Sequence, residues 1–141
     1  MRLQLDDLRI LLVDDSFEAV RIVRGMLNQL GISKVETASD GVQALGVING
    51  GGGMVDVILC DRNMPNLNGA DLLRKIREVD LDIPFIMITG AADLGSVTEA
   101  KDLGVTAYIA KPFSLEQLEK KLRFVLKLIN RKKPALQVNW R

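Results

Sequence analysis

The chain has 141 residues, of which 48% are hydrophobic and 26% charged, and its formal net charge is +1. This composition predicts one folded domain with a sizeable core and argues against disorder and against nucleic acid as a direct partner. Histidine is absent and Cys60 is the single cysteine, which excludes histidine-based catalysis, an intrachain disulfide and a multi-cysteine metal cluster.

Five short apolar runs alternate with longer segments of helical period. The predicted strands cover residues 10–13, 34–38, 55–60, 85–88 and 107–110, and three of them are nearly continuously apolar, as in strands covered on both faces. Apolar residues spaced by three and four positions predict a helix after each strand. In chain order these helices run from Ser16 to Gly31, from Asp40 to Ile48, around Leu72 to Ile76, from Val97 to Leu103, and from the capping pattern at Ser114 through Ile129.

The repeated strand and helix pattern predicts an α/β fold with one five-stranded, doubly wound parallel sheet and helices on both faces, because parallel strands need crossover helices. We expect one domain over residues 1–130, followed by a basic C-terminal tail over residues 131–141. The glycine run at residues 50–53 precedes the third strand and has no predicted role.

Charged or hydroxyl groups follow four of the five predicted strands, at the carboxyl edge where open α/β sheets bind ligands. These groups are, in chain order, Asp14 and Asp15, then Asp61, then Thr89, then Lys111. The second strand differs, because the residues after it, Ser39 to Gly41, have the pattern of a plain helix cap.

Three carboxylates at one sheet edge would repel one another unless a cation lies among them. Because oxygen is the only ligand atom on offer, Mg²⁺ is the expected ion. Asp61, alone on the central third strand, is the best candidate nucleophile for phosphoryl transfer, and Lys111 could contact a phosphoryl oxygen. Taken singly, Asp14 and Asp15 could instead be helix-capping acids and Lys111 a solvated lysine.

Four motifs together carry a family resemblance: LLVDDS at 11–16, DRNMPNLNG at 61–69, ITGAA at 88–92 and AYIAKPF at 107–113. With these motifs in this order, the chain resembles the receiver domain of bacterial two-component response regulators, of the single-domain, CheY-like type, over about residues 8–130. The resemblance implies a flavodoxin-like fold for the predicted domain.

The resemblance also implies roles for individual residues. Asp61 would be the phosphoacceptor, and Asp14, Asp15 and Asp61 would bind Mg²⁺ together with the backbone carbonyl of Asn63. The ammonium group of Lys111 would contact the phosphoryl group, and the Lys111–Pro112 peptide bond would be cis. Thr89 would be a catalytic residue together with Asp61 and Lys111, and it would move toward the phosphoryl group on phosphorylation. Thr89 and Tyr108 would form the conformational switch, although Tyr108 could also simply pack against the sheet.

A phosphorylation-dependent signalling switch in the cytoplasm, rather than an enzyme, is the function that the resemblance implies. A histidine kinase or a histidine phosphotransfer protein would donate the phosphoryl group, and a target protein would bind the face formed by the fourth helix, fifth strand and fifth helix. Phosphorylation-driven homodimerisation stays open. The absence of a secretory signal and of a run of about 18 apolar residues predicts no contact with a membrane.

Two alternatives accompany this hypothesis. The chain could be the amino-terminal receiver part of a longer regulator with an effector domain. It could also be a small phosphatase of the haloacid dehalogenase type, which likewise uses an aspartate nucleophile with Mg²⁺. That class needs a D-x-D pattern after the first strand, whereas this chain has adjacent Asp14 and Asp15 followed by Ser16.

The near-zero net charge conceals a segregation along the chain. Residues 120–141 contain eight basic residues and no acidic one, so residues 1–119 carry a net charge of −7. Part of that negative charge belongs to the predicted metal site, and the basic last helix belongs to the predicted output face. We therefore expect an acidic partner surface opposite Lys120, Lys121 and Lys127.

Overall fold

A computed structural model of the protein describes residues 2–50, 55–79, 82–90, 101 and 103–139, with side chains described as far as residue 132. The helix predicted from Val97 to Leu103 lies outside these ranges except for Lys101 and Leu103. The glycine run at residues 50–53 also lies outside them, except for Gly50. The strands are β1 (Arg9–Val13), β2 (Lys34–Ala38), β3 (Val57–Asp61), β4 (Phe85–Thr89) and β5 (Ala107–Ala110). The described α-helices are α1 (Phe17–Gln29), α2 (Gly41–Asn49), α3 (Gly69–Glu78) and the C-terminal helix α4 (Leu115–Asn139).

The five strands form one parallel sheet in the order β2-β1-β3-β4-β5. This arrangement confirms the predicted fold class. Strands β3 and β4 are buried along their whole length, as predicted for continuously apolar strands with both faces covered. Each strand therefore supplies side chains to two separate cores, one on each face of the sheet.

The two cores show how the strand periodicity divides the apolar residues. Leu12 and Leu59 belong to the core that packs against α1 and α4, whereas Leu11 and Ile58 belong to the core that packs against α2 and α3. Successive side chains of a strand point to opposite faces, so one uninterrupted apolar run fills both cores. Helices consequently cover both faces, as the sequence pattern predicts.

The helices begin at the residues that the sequence indicates. The hydroxyl of Ser16 accepts a hydrogen bond from the backbone N–H of Ala19 at 3.1 Å and caps α1. At the start of α4, Ser114 and Gln117 exchange two side chain to backbone hydrogen bonds, at 2.8 and 3.1 Å. This reciprocal pair is the predicted capping box.

The C-terminal helix is longer than predicted, because it continues past Ile129 to Asn139. Asn130 explains why the helix is still anchored beyond its expected end. Its buried side-chain amide accepts a hydrogen bond from the backbone N–H of Leu3 at 2.8 Å and donates one to the carbonyl of Leu3 at 3.0 Å. The helix thus crosses the predicted boundary at residue 130, and the division into a domain and a tail stays a prediction.

Across the described ranges, no helix combines the length and the apolar character that a membrane span requires.

The amino-terminal segment contains a short 3-10 helix at Leu5–Asp7, which the sequence pattern does not predict. Leu5 and Leu8 of this segment are buried in the core beside α4. The segment therefore closes the amino-terminal end of the sheet, opposite the edge that bears the candidate site.

Candidate functional site

Three carboxylates meet at the carboxyl edge of the sheet. Strands β1 and β3 are neighbours with Val13 paired to Cys60, so Asp14 and Asp61, the next residue in each strand direction, lie side by side. One oxygen each from Asp14, Asp15 and Asp61 lies within 4.8 Å of the other two. Asp14 and Asp61 are buried, whereas Asp15 is exposed, so the cluster is open to solvent on one side.

Asp14 is held by its backbone and by one of its two carboxylate oxygens. Its N–H donates to the carbonyl of Ala38 at 3.0 Å, and its Oδ1 accepts from the N–H of Ser16 at 2.9 Å. Asp14 does not itself cap α1, because the side chain of Ser16 provides the cap. The other oxygen, Oδ2, faces Lys111.

Lys111 brings a positive charge to the same cluster. Its Nζ lies 3.4 Å from Oδ1 of Asp61 and 3.8 Å from Oδ2 of Asp14, and its side chain is 36% exposed. The backbone N–H of Lys111 donates to the carbonyl of Thr89 at 2.7 Å, and the Lys111–Pro112 bond is cis, as the resemblance implies. The ends of β4 and β5 thereby bring Lys111 and the buried Thr89 to the edge occupied by the carboxylates.

The charges at the site do not balance. Burial raises the pKa of Asp61, the negative charge of Asp14 raises it further, and Lys111 opposes both effects. Three carboxylates and one ammonium group leave a formal charge of −2. An oxygen-only cluster with this charge suits a hard divalent cation such as Mg²⁺, so the residues fit the metal that the sequence predicts.

The loop after Asp61 is closed on itself at residues 62–68. The N–H of Arg62, the first residue of the loop, donates to the carbonyl of Ile88 at 2.8 Å. The N–H of Gly69 donates to the carbonyl of Arg62 at 3.0 Å, and this bond closes the loop. A Cβ on Gly69 would lie 2.6 Å from the carbonyl oxygen of Asp61, so only glycine permits this closure. Asn63, whose carbonyl is the fourth predicted ligand, lies in this loop and is exposed.

Asp40 and Asn66 form a connection that sequence reasoning misses. Asp40 caps α2 by accepting from the N–H of Gln43 at 2.8 Å, as predicted, but its second oxygen accepts from Nδ2 of Asn66 at 2.7 Å. These two hydrogen bonds lower the pKa of Asp40. The cap is visible in the sequence, whereas the partner, 26 residues away, is brought there only by the fold.

Tyr108 lies apart from the carboxylates, on the edge strand β5. It is half-buried against the core beside α3, and Nζ of Lys121 lies 5.6 Å from the centre of its ring. A groove of about 470 Å³ runs beside it. The charged and aromatic side chains that line this groove, here called the basic groove, are Lys101, Tyr108, Lys120, Lys121 and Phe124.

Comparison with known proteins agrees with this arrangement. The chain matches the family described as the response regulator receiver domain over residues 10–123. It is 34% identical to the chemotaxis protein CheY of Pseudomonas aeruginosa over 125 residues, which is 87% of this chain and 99% of that protein. It is 39% identical to the chemotaxis protein CheY-3 of Vibrio cholerae over 118 residues, covering 82% and 89% of the two chains.

A solved structure shows the same fold. The response regulator receiver domain protein of Clostridium thermocellum superposes with a TM-score of 0.79 at 29% identity, covering 91% of this chain and 98% of that one. The family match covers the five strands, apart from Arg9 at the start of β1, and the acidic cluster at their carboxyl edge. The chain therefore belongs to the response regulator receiver domain family.

Proposed function

We propose that this protein accepts a phosphoryl group on Asp61 from a phosphohistidine of a partner protein, in a Mg²⁺-dependent reaction, and thereby controls a second protein. Receiver domains act as phosphorylation-dependent signalling switches and bind Mg²⁺ at an acidic pocket. The observation that carries the proposal for this chain is the position of Asp61, which is buried within 4.8 Å of two further carboxylates and 3.4 Å from Lys111.

The proposed transfer is an in-line displacement at phosphorus. A carboxylate oxygen of Asp61 forms the new bond to phosphorus while the bond from phosphorus to the donor's imidazole nitrogen breaks, and its electron pair stays on that nitrogen. The 141 residues contain no histidine, so the donor imidazole must lie outside them, as on a histidine kinase or a histidine phosphotransfer protein. The protein's own part in the transfer is to orient the reacting groups and to neutralise charge.

Asp14, Asp15, Asp61 and the backbone carbonyl of Asn63 are the proposed Mg²⁺ ligands. When bound, the ion would neutralise charge on the phosphoryl oxygens. Lys111 is proposed to contact one of these oxygens. Its ammonium group would move away from Asp61 once that carboxylate has become an acyl phosphate. The hydroxyl of Thr89 is proposed to donate to another. The short distances from Lys111 to both buried carboxylates support this assignment.

The route from Asp61 to the output face is proposed to run through Thr89 and Tyr108. Thr89 is the last residue of β4 and pairs with Ala110 of β5, two residues beyond Tyr108. Movement of Thr89 toward a phosphoryl group would open space beside the half-buried Tyr108 ring. The target protein is proposed to bind the predicted output face, part of which is the basic groove.

Phosphorylation of Asp61 can be tested with a small-molecule donor. We would incubate the protein with acetyl phosphate or phosphoramidate and Mg²⁺ and measure the intact mass. One added phosphate is expected on the native protein and on Asp82→Asn, a control whose carboxylate is exposed, and none on Asp61→Asn. Absence of any adduct on the native protein would refute the proposed function.

The switch can be tested by nuclear magnetic resonance on the same samples. Phosphorylation is expected to shift the amide resonances of Tyr108 and of residues 120–124, which border the basic groove, and to leave Lys127 largely unchanged, since Lys127 does not line that groove. Thr89→Ala should still be phosphorylated but lose the shifts at Tyr108. Equal shifts at Tyr108 in Thr89→Ala would contradict the proposed route.

A further inference from the structure

The first residues of α2 form hydrogen bonds with the loop that follows Asp61. Nδ2 of Asn66 donates to Oδ2 of Asp40 at 2.7 Å, and the N–H of Gly41 donates to the carbonyl of Leu67 at 3.0 Å. Hydrogen bonds from α2 thus fix the loop at Asn66 and Leu67, in addition to the bond between Gly69 and Arg62 that closes it. These hydrogen bonds connect the loop to the start of α2, which contributes no residue to the predicted metal site.

The two oxygens of Asp40 have different partners. Oδ1 accepts from the N–H of Gln43 and caps α2, and a helix cap needs no more than this one oxygen. Oδ2 accepts from Nδ2 of Asn66 and thereby connects α2 to the loop after Asp61. Asp40 is only 8% exposed whereas Asn66 is exposed, so this hydrogen bond holds a surface loop residue against a largely buried carboxylate.

The backbone on the other side of this bond adopts an unfavourable conformation. Asn66 has a φ of +66° and is the one non-glycine residue with a positive φ in the described ranges. Such a residue persists where its surroundings hold it, and residues of this kind cluster at functional sites. The contact is also close: a Cβ on Gly41 would lie 2.6 Å from the carbonyl oxygen of Leu67.

We propose that Asp40 and Asn66 are positioning residues for the metal site, and that their hydrogen bond sets the Mg²⁺ affinity by fixing the loop that carries Asn63. The inference rests on the proposed function, which makes the carbonyl of Asn63 a ligand. Asn63 lies three residues before Asn66 inside the closed loop. A displacement of Asn66 would therefore also move the carbonyl of Asn63, because only a short length of backbone separates the two residues and its other end is fixed at Arg62.

The test compares two substitutions that add the same charge to the same loop. Asn66→Asp removes the donor and sets a carboxylate against Asp40, whereas Asn68→Asp leaves that pair intact and keeps the cap of α3, which Asn68 provides to Asp71 at 2.9 Å. An added negative charge by itself strengthens cation binding. We nevertheless expect Asn66→Asp to weaken Mg²⁺ binding about tenfold in isothermal titration calorimetry, and Asn68→Asp to bind as tightly as the native protein or more tightly.

A double substitution provides the rescue. In Asp40→Asn combined with Asn66→Asp, the donor and the acceptor exchange places and the total charge returns to that of the native protein. Asparagine is as good a helix cap as aspartate, so α2 keeps its cap. The double variant is expected to recover most of the Mg²⁺ affinity that Asn66→Asp loses.

The outcomes separate this inference from the proposed function. Unchanged Mg²⁺ affinity in Asn66→Asp, even with a lower melting temperature, would overturn the inference, because the pair would then serve the fold alone. Failure of the double variant to recover affinity would also count against it. A native protein that binds Mg²⁺ but takes no phosphoryl group from acetyl phosphate would refute the proposed function alone, and a native protein that binds no Mg²⁺ would refute both.

Discussion

Replacing the Asp61 carboxylate with an amide is expected to stabilise the protein when no divalent cation is bound. Burial and the charge of Asp14 raise the pKa of Asp61 in the folded state. A raised folded pKa means that stability falls as pH rises above the unfolded value near 3.8, so at neutral pH the ionised carboxylate opposes folding. Asp61→Asn removes that charge and keeps the size of the side chain.

The distances at the site give the magnitude of this effect. Asp14 and Asp61 oxygens within 4.8 Å repel by about 3 kcal/mol at an effective dielectric constant of about 20. The ammonium group of Lys111, 3.4 Å from Oδ1 of Asp61, attracts it by about 5 kcal/mol at the same dielectric constant. Asp15 adds a second repulsion that solvent partly screens, and burial adds a further cost. The raised pKa of Asp61 indicates that burial and the two neighbouring carboxylates together outweigh the attraction of Lys111. Because these opposing energies nearly cancel, we expect a net stabilisation of only about 1 to 2 kcal/mol, or roughly 3 to 8 °C in Tm.

The assay is thermal unfolding followed by circular dichroism near neutral pH, with EDTA and then with increasing Mg²⁺. Asp61→Asn should melt above the native protein in EDTA. Mg²⁺ at about 100 times its Kd should stabilise the native protein by about 2.7 kcal/mol and the variant by less. Asp82→Asn is the matched control, because its carboxylate is exposed and its ion pair with Lys132 is long, at 3.9 Å. It should change stability by less than about 0.5 kcal/mol.

Two results would refute this reasoning. A lower Tm for Asp61→Asn in EDTA would mean that Lys111 outweighs burial and the neighbouring carboxylates. An equal increase in Tm with Mg²⁺ for the native protein and Asp61→Asn would mean that the ion does not bind at the acidic cluster.

Three further predictions concern other parts of the molecule. Burial, with Asp61 and Asp14 nearby, raises the pKa of the Cys60 thiol, so Cys60 should react with a thiol reagent only after unfolding; rapid labelling of the native protein would contradict this. Asn130→Ala should cost about 1 to 2 kcal/mol in urea unfolding, because both backbone partners at Leu3 lose their bonds; an unchanged midpoint would argue against it. Asp40 has a lowered pKa, so its stabilising contribution is complete above pH 3.8 and disappears in more acidic solution; Asp40→Asn should flatten that part of the pH profile of stability.

The strand and helix pattern was predictable because it depends on local spacing. Continuous apolar runs predict β3 and β4 as strands covered on both faces, and caps such as Ser16 mark where helices begin. The length of α4 was not predictable in the same way. Its last turns follow Asn130, a polar residue whose burial depends on Leu3 at the opposite end of the chain.

The candidate site divides in the same way between local and tertiary information. The sequence by itself determined which groups reach the carboxyl edge, since Asp14, Asp61 and Lys111 each follow or end a parallel strand, and parallel strands share that edge. The tertiary structure decided how those charges balance, by burying Asp61 within reach of two carboxylates and one lysine. It also decided that Asp40, a plain helix cap in the sequence, binds Asn66, because a hydrogen bond between distant segments depends on loop geometry that no local pattern encodes.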